Sequence, residues 1–313
     1  MFYIDLNMNK LLIVGSMAFD AIETPFGKTD RIIGGAAPYI ALASAFFKTF
    51  PAVVSVVGND YPEQYLNDLK SKDINLSGVE ILKNVKTMFW SGRYNKDMNQ
   101  RETLVTELNA LNDFKPVVPE DYRDADIVML GNLQPQVQLS VISQMKKRPK
   151  LIIMDTMNFW MTNTPDELEE VINKVDVLTI NDEEARLLSG EYSLVAAAEK
   201  IFKKGLRYLI IKKGDNGALL FSKQGKKFFA PALPMSSVCD PTGAGDSFAG
   251  GFAGYIASKA QTDFETVKSA VIAGSVMGSF ACESFGTQNL FKIDQSMFKK
   301  RVEEFVELSK FSF

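Results

Sequence analysis

Six short runs of apolar, mostly β-branched residues punctuate the chain: LLIVG (11–15), AVVSVVG (52–58), DIVMLGN (126–132), LIIMD (151–155), VDVLTIN (175–181) and YLIIKKG (208–214). Within each run neighbouring residues are apolar together rather than alternating with polar ones, so a strand built from it must be covered on both faces. Between most of the runs lie segments long enough for a helix, such as 136–147 and 193–204. The pattern predicts an α/β fold in three layers, with a mainly parallel central sheet between helices. Ligands of such sheets bind beyond the carboxyl ends of the strands. Those ends here carry Gly15, Gly58, Gly131, Asn132, Asp155, Asn181 and Lys212.

Composition narrows the chemistry. A formal net charge of -3 and the lack of any long Lys/Arg run argue against nucleic acid or an anionic membrane as partner, and favour a small neutral or anionic one. The apolar stretch AVIAGSVMGSFAC (270–282) is shorter than the roughly 20 residues that span a bilayer and is interrupted by Ser and Gly, so it reads as a buried helix. The opening MFYIDLNMNKLLIVG lacks a basic leader region and a small-residue cleavage site. With only Cys239 and Cys282 present, a cytoplasmic, reducing location is expected. The chain has no histidine, which removes Ser-His-Asp and Cys-His nucleophiles, imidazole acid/base chemistry and the commonest zinc sites. Catalysis must then run on carboxylates, lysines, hydroxyls, backbone dipoles or an oxygen-ligated metal.

Two segments break the strand-helix rhythm. Residues 18–33 hold a Pro-x-Gly turn, and 87–107 read as two strands around the polar turn NKDMN. Together they suggest a small β-lid over the site; a surface hairpin or a dimerising edge is the alternative. Segments 262–284 and 294–310 have the periodicity of packing helices.

The densest motif is CDPTGAGDSFAGG (239–251), in which glycines and two acids open a helix pattern. Glycines allow backbone conformations that turn several N–H groups to one point, and the helix behind adds partial positive charge, so the turn is an anion hole. A lone Asp246 in the first turn would read as a helix cap. Capping, however, does not need a G-x-G just before the acid and would occupy the N–H groups that the glycines expose. A carboxylate beside a phosphate is repulsive unless it receives a proton or orients a hydroxyl. Asp246 is thus assigned to the nucleophile and the glycines to a phosphoryl group.

DPTGAGDSFAGGF closely resembles the signature of the ribokinase-like (PfkB) carbohydrate kinases. GGAAP (34–38), an N-x-x-E (181–184) and KKGDNG (212–217) follow in the family's order. The resemblance spans nearly the whole chain and implies one kinase domain over 1–313, with lid segments 18–33 and 87–107 inserted in it. It implies a kinase that moves the γ-phosphate of ATP to a hydroxymethyl group of a sugar, with a nucleoside as the alternative acceptor. By resemblance Asp246 is the catalytic base, and the backbone of Gly243, Ala244 and Gly245 forms the anion hole. Thr242 joins these glycines beside the nucleotide. Asp240 orders the loop and is often linked to a monovalent cation such as K+. Asn181 and Glu184 help hold Mg2+ through water, although Asn followed three residues later by Glu is also a helix capping box. Lys212, Gly214 and Gly217 lie along the nucleotide. An ordinary carboxylate pKa leaves Asp246 ionised at neutral pH, so no raised value is required.

For the acceptor, Asp20 stands five residues after Gly15, the family's spacing for an aspartate that binds two hydroxyls, and Gly34 and Gly35 match its glycine pair. The family's sugar-binding Asn falls at about Tyr39, which implies a bulkier or stacked acceptor. Asn132, Asn158, Trp90, Arg93 and Asn99 are further candidate contacts, with turn capping or lid packing as the competing reading of each. Arg93 pairs with an anionic acceptor or is a surface arginine. Related lids often pair, so a homodimer through the lid is a further expectation. Two other classes remain open: an NAD-dependent oxidoreductase, disfavoured because the first strand lacks G-x-G-x-x-G, and a non-catalytic binding protein, disfavoured by Asp246 with the Asn181/Glu184 pair.

Overall fold

The computed structural model describes residues 9–259 and 261–312; the first eight residues, read above for a leader, lie outside them. From the N-terminal side, β1 (Leu11–Val14) is followed by β2 (Ala18–Thr24), β3 (Gly27–Lys28), β4 (Ile32–Gly34) and helix α1 (Ala36–Ala45). Next come β5 (Ala52–Gly58), α2 (Glu63–Lys70), β6 (Asn75–Leu82) and the hairpin β7 (Met88–Tyr94) and β8 (Arg101–Glu107). The strand-helix rhythm resumes with β9 (Ile127–Leu130), α3 (Pro135–Ser143), β10 (Leu151–Asp155), α4 (Asn158–Asn163), α5 (Pro165–Ile172), β11 (Val177–Asn181), α6 (Asp182–Ser189), α7 (Leu194–Ile201) and β12 (Tyr208–Lys212). A meander of β13 (Ala218–Ser222) and β14 (Lys227–Ala230) precedes α8 (Ala244–Ala257), α9 (Phe264–Ala281) and α10 (Gln295–Ser309).

The six apolar runs become six adjacent strands, β12-β11-β10-β9-β1-β5, all parallel. β6 extends this sheet in parallel at one edge, and β13 and β14 close the other edge antiparallel. Alternate residues of each central strand feed two different cores. Leu11, Ile13, Ile127, Met129, Leu151 and Ile153 pack with α1, α8 and α9. Leu12, Val14, Val128, Leu130, Ile152 and Met154 pack with α3, α5 and α7. The continuous hydrophobicity of the runs is therefore the signature of a sheet buried twice.

Helix α8 packs closely on α1 only because the face it turns to that helix is small. A Cβ on Gly250 would stand 2.4 Å from the Ile40 carbonyl oxygen, and one on Gly254 would stand 2.6 Å from the Ser44 Cα. The close approach seats Phe252, fully buried, in the core, where such a side chain contributes roughly 1.5–3 kcal/mol. It also fixes the turn in front of α8 against α1.

The two rhythm-breaking segments join into one small sheet of order β3-β2-β7-β8, with β4 paired to β2. β2 and β7 are parallel, with Asp20 beside Trp90, and β7 and β8 form the hairpin around the polar turn. Every residue of β8 is exposed. Among the described residues no helix is long and apolar enough to cross a membrane.

Candidate active site

The loop after β1 docks the head of α1. Ser16 accepts hydrogen bonds from the Ala36 N–H through its hydroxyl (3.1 Å) and from the Ala37 N–H through its carbonyl (2.9 Å). Gly35, at φ 82°, precedes the helix. This arrangement presses Gly34 onto Asp20, whose carboxylate fills the space that a Cβ on Gly34 would need. Asp20 is 4% exposed, and burial pushes its carboxyl up to about 7, against a hydrogen bond from the Gly35 backbone.

At the other end of the chain, Asp240 accepts the Thr242 N–H through Oδ1 (2.8 Å), while its buried Oδ2 has no partner. Burial pushes Asp240 up to about 6. Gly243 takes the left-handed conformation (φ 77°) as the residue before α8. A side chain there would be strained and would strike the Tyr39 ring at 2.3 Å. The N–H of Ala244 bonds the Pro241 carbonyl (3.1 Å), so Ala244 closes the turn rather than offering a free amide, a correction to the expected three-residue hole. The N–H groups of Gly243 and Gly245 take no acceptor among the described residues.

No side chain caps α8. Asp246 is therefore not a helix cap, and its carboxylate makes no hydrogen bond to a described residue. Burial, then the Asp155 charge, push it up to about 6, against the pull of Lys212 and Arg101. Asp246 remains mostly ionised at neutral pH, as expected from the sequence, although its environment does raise it.

At the ends of β10 and β12, Lys212 Nζ lies 3.1 and 3.2 Å from the two Asp155 carboxylate oxygens. Burial lowers the ammonium, but Asp155 and Glu184 outweigh it and hold the lysine above its ordinary value. The same Nζ is 3.4 Å from where a Cβ on Gly245 would stand, so the ammonium adjoins the amide turn. Asn181 and Glu184 form the full capping box of α6, at 2.7 and 2.8 Å. Burial pushes Glu184 up to about 7 against the Lys212 charge. Gly214 and Gly217, both at positive φ, shape the turn after β12, and Asn99 of the lid approaches Gly214 to within 2.8 Å of a would-be Cβ.

Three acceptor candidates stand elsewhere than expected. Tyr39 is 1% exposed with its ring packed against Gly243 and its buried hydroxyl unpartnered, so it underlies the turn rather than offering a stacking face. Arg93 lies three residues from Trp90 and so on the opposite face of the lid, where it grips Glu23 at 3.0 and 3.2 Å in solvent. Asn132 is held by Trp160, whose Nε1 donates to it at 2.8 Å, and by Met157. Asn158 is exposed at the start of α4, and Trp90 is half-buried beside Asp20. Sequence reasoning missed Asp155 as the partner of Lys212, and Tyr94, whose hydroxyl accepts a hydrogen bond from Thr242 at 3.1 Å. It also missed Arg101. Only Asp155 carried a signal, as an acid at a strand's carboxyl end.

Among the described residues no three His, Cys, Asp or Glu side chains gather as a metal cluster. The buried carboxylates Asp155 and Glu184 and the half-buried Asp246 interact with Lys212 and Arg101, an arrangement short of positive charge and suited to an anion brought in with a cation.

The profile of the pfkB family carbohydrate kinases matches residues 8–294. A cytidine kinase of Thermococcus kodakarensis is 30% identical over 253 residues, covering 79% of this chain and 89% of its own. A nucleoside kinase of Methanocaldococcus jannaschii is 25% identical over 296 residues, 90% of this chain and 93% of its own. The crystal structure of a nucleoside kinase from that organism superposes with a TM-score of 0.76 at 24% identity, covering 95% of this chain and 99% of its own.

Proposed function

The chain belongs to the pfkB family of carbohydrate kinases and is a phosphotransferase acting on a hydroxyl of a sugar or nucleoside; from that premise we propose that its acceptor is a nucleoside, phosphorylated on the primary hydroxyl of its ribose. The observation that carries this choice is the parallel pairing of Asp20 with Trp90, an indole beside the carboxylate suited to two ribose hydroxyls. A base attached to the ribose would stack its flat π-face on that indole, a larger contact than a free pentose can make there. The name of the cytidine kinase relative supports the same choice.

In the proposed reaction Asp20 accepts hydrogen bonds from two ribose hydroxyls and so aims the third at Asp246. Asp246, unbonded and ionised at neutral pH, takes the proton of the attacking hydroxyl. The bond between the γ-phosphorus and the bridging oxygen breaks as the new bond to the ribose oxygen forms, and ADP leaves. The N–H groups of Gly243 and Gly245 and the Lys212 ammonium stabilise the charge on the transferring group.

Kinases of this family use ATP, generally with Mg2+. The donor set fits that ion: Glu184 is a buried carboxylate pushed up to about 7, and beside Asn181 it would hold a hydrated cation that neutralises phosphate charge. The orphaned Oδ2 of Asp240 fits a monovalent cation such as K+.

The test is ADP release over nucleosides, ribose and fructose, with Mg2+ and either K+ or tetramethylammonium, and product identification by phosphorus NMR. A nucleoside is expected to exceed any free sugar in kcat/KM by about tenfold or more, the scale of the stacking contact that a free sugar lacks. Equal or better use of ribose would refute the nucleoside choice, and equal rates in the two monovalent salts would refute the K+ role.

A further inference from the structure

Two glycines of the small sheet stand where any larger residue would displace a side chain assigned above to the acceptor. Gly34 is the first, with the Asp20 carboxylate in the place of its missing Cβ. The second is Gly92, whose ideal Cβ position lies 2.2 and 2.4 Å from Cη2 and Cζ2 of Trp90, closer than such atoms can approach. Gly92 is not one of the glycines at positive φ, so backbone conformation does not demand glycine there. What the position accommodates is the indole.

Trp90 and Gly92 are two residues apart in β7 and so share a face of the strand. The register of β7 on β8 slips between Ser91, paired with Val105, and Gly92, paired with Thr103, which sets Thr103 opposite the glycine on that same face. The indole leans along β7 over this pair. Its Nε1 donates a long hydrogen bond to the Thr103 hydroxyl (3.4 Å), and beyond it the Arg101 guanidinium carbon is 5.4 Å from the ring centre. The ring is thus held by a gap beneath it, an acceptor at its edge and a cation beside it. Trp90 is only half-buried, so part of the indole stays open.

We infer that Gly92 and Thr103 are positioning residues for nucleoside selection, which hold the Trp90 indole down along β7 so that its open face is ready for the base when the ribose docks on Asp20. The inference rests on the nucleoside reading above. A ring fixed before binding does not have to be ordered by the ligand, so the stacking contact is realised in full. A Cβ at position 92 drives the indole off the strand, either into the space of the base or away from it, and in both cases the base loses its platform. Neither residue touches the reacting atoms, so their effect falls on acceptor binding and reaches it through Trp90.

Steady-state assays with ATP, Mg2+ and the best nucleoside compare Gly92→Ala, Trp90→Ala and the double variant. Gly92→Ala is expected to raise the nucleoside KM by about fivefold, short of the roughly tenfold of Trp90→Ala. Because Gly92 acts through the indole, the double variant is expected to match Trp90→Ala alone rather than the product of the two, a non-additivity that general loosening of the sheet would not give. Trp160→Phe leaves Trp90 as the one tryptophan, and saturating nucleoside without ATP is expected to quench its emission about twofold more strongly than when Gly92→Ala is added. An unchanged nucleoside KM in Gly92→Ala, additive losses in the double variant, or an unchanged quench overturns the inference. If Gly92→Ala does not fold, Thr103→Val decides: a nucleoside KM raised about threefold, with no such rise in a Trp90→Ala background, supports the inference, and a wild-type KM overturns it. A wild type that uses ribose as well as any nucleoside refutes the nucleoside reading and this inference together, whereas a nucleoside-selective wild type with unaffected variants overturns this inference alone.

Discussion

Asp246 and Trp90 both stand near Asp20, on two walls that are built differently. Asp246 stands on α8, whose glycine face is wedged onto α1 and whose aromatic residues sit in the main core. Trp90 stands on a small sheet whose outer strand, β8, is exposed along its whole length. The first wall fixes atoms against a double-sided core, where a shift of one group displaces many. The second is anchored through β2 but ends in the exposed strand β8, where fewer buried contacts oppose movement. On the function proposed above, the base and the amide turn sit on the first wall, and the acceptor contacts Asp20 and Trp90 on the second.

Substitutions on the two walls should therefore fail in different ways. Asp246→Asn removes the base and leaves the amide turn intact, so kcat should drop by roughly 10²–10⁴-fold while ATP affinity, read by calorimetry, stays within about threefold. Surviving turnover would remove Asp246 from the mechanism. Trp90→Ala should raise the acceptor KM by about tenfold, the equivalent of about 1.4 kcal/mol of lost stacking, and leave kcat within about threefold. If kcat falls instead and KM holds, the division of labour between the walls is wrong.

The smallest expected effect is a shift in pH dependence. Asp246 must be ionised to accept a proton, and burial and then Asp155 push its carboxyl up to about 6, so kcat at saturating acceptor and Mg2+ should decline as pH falls through about 6, below the limb near 7 that Asp20 and Glu184 impose on kcat/KM. Asp155→Asn removes a like charge and releases Lys212 toward Asp246. Both changes make Asp246 more acidic and move the acidic limb to lower pH, on the order of one unit. A limb that stays put or moves upward would mean that the Asp155 charge does not reach the base.

The same contrast explains what the sequence disclosed. The central strands were legible because burial on both faces leaves unbroken apolar runs, and all six lie adjacent and parallel. β6 and β14 were not, because edge strands with partly exposed residues carry no such run. The amide turn was legible because its glycines are required by backbone geometry, as the φ of 77° at Gly243 illustrates. Ala244 was misjudged because a motif does not tell which N–H the turn itself consumes. Tyr39 was misjudged because its position relative to Gly243 depends on how α8 meets α1, two helices far apart in the chain. Arg101 left no trace: on a string of letters an arginine in an exposed strand looks like any other, and only strand register sets it opposite Tyr94 and over Trp90.

The wedge of α8 onto α1 also dictates when the enzyme comes alive. Residues supplied at the start of synthesis stay without their counterpart until the stretch through Ala257 has left the ribosome, since Gly250 and Gly254 must seat on Ile40 and Ser44 before the turn at Gly243 has a floor. A nascent chain thus holds the strands of its parallel sheet before it holds the helix that carries Asp246.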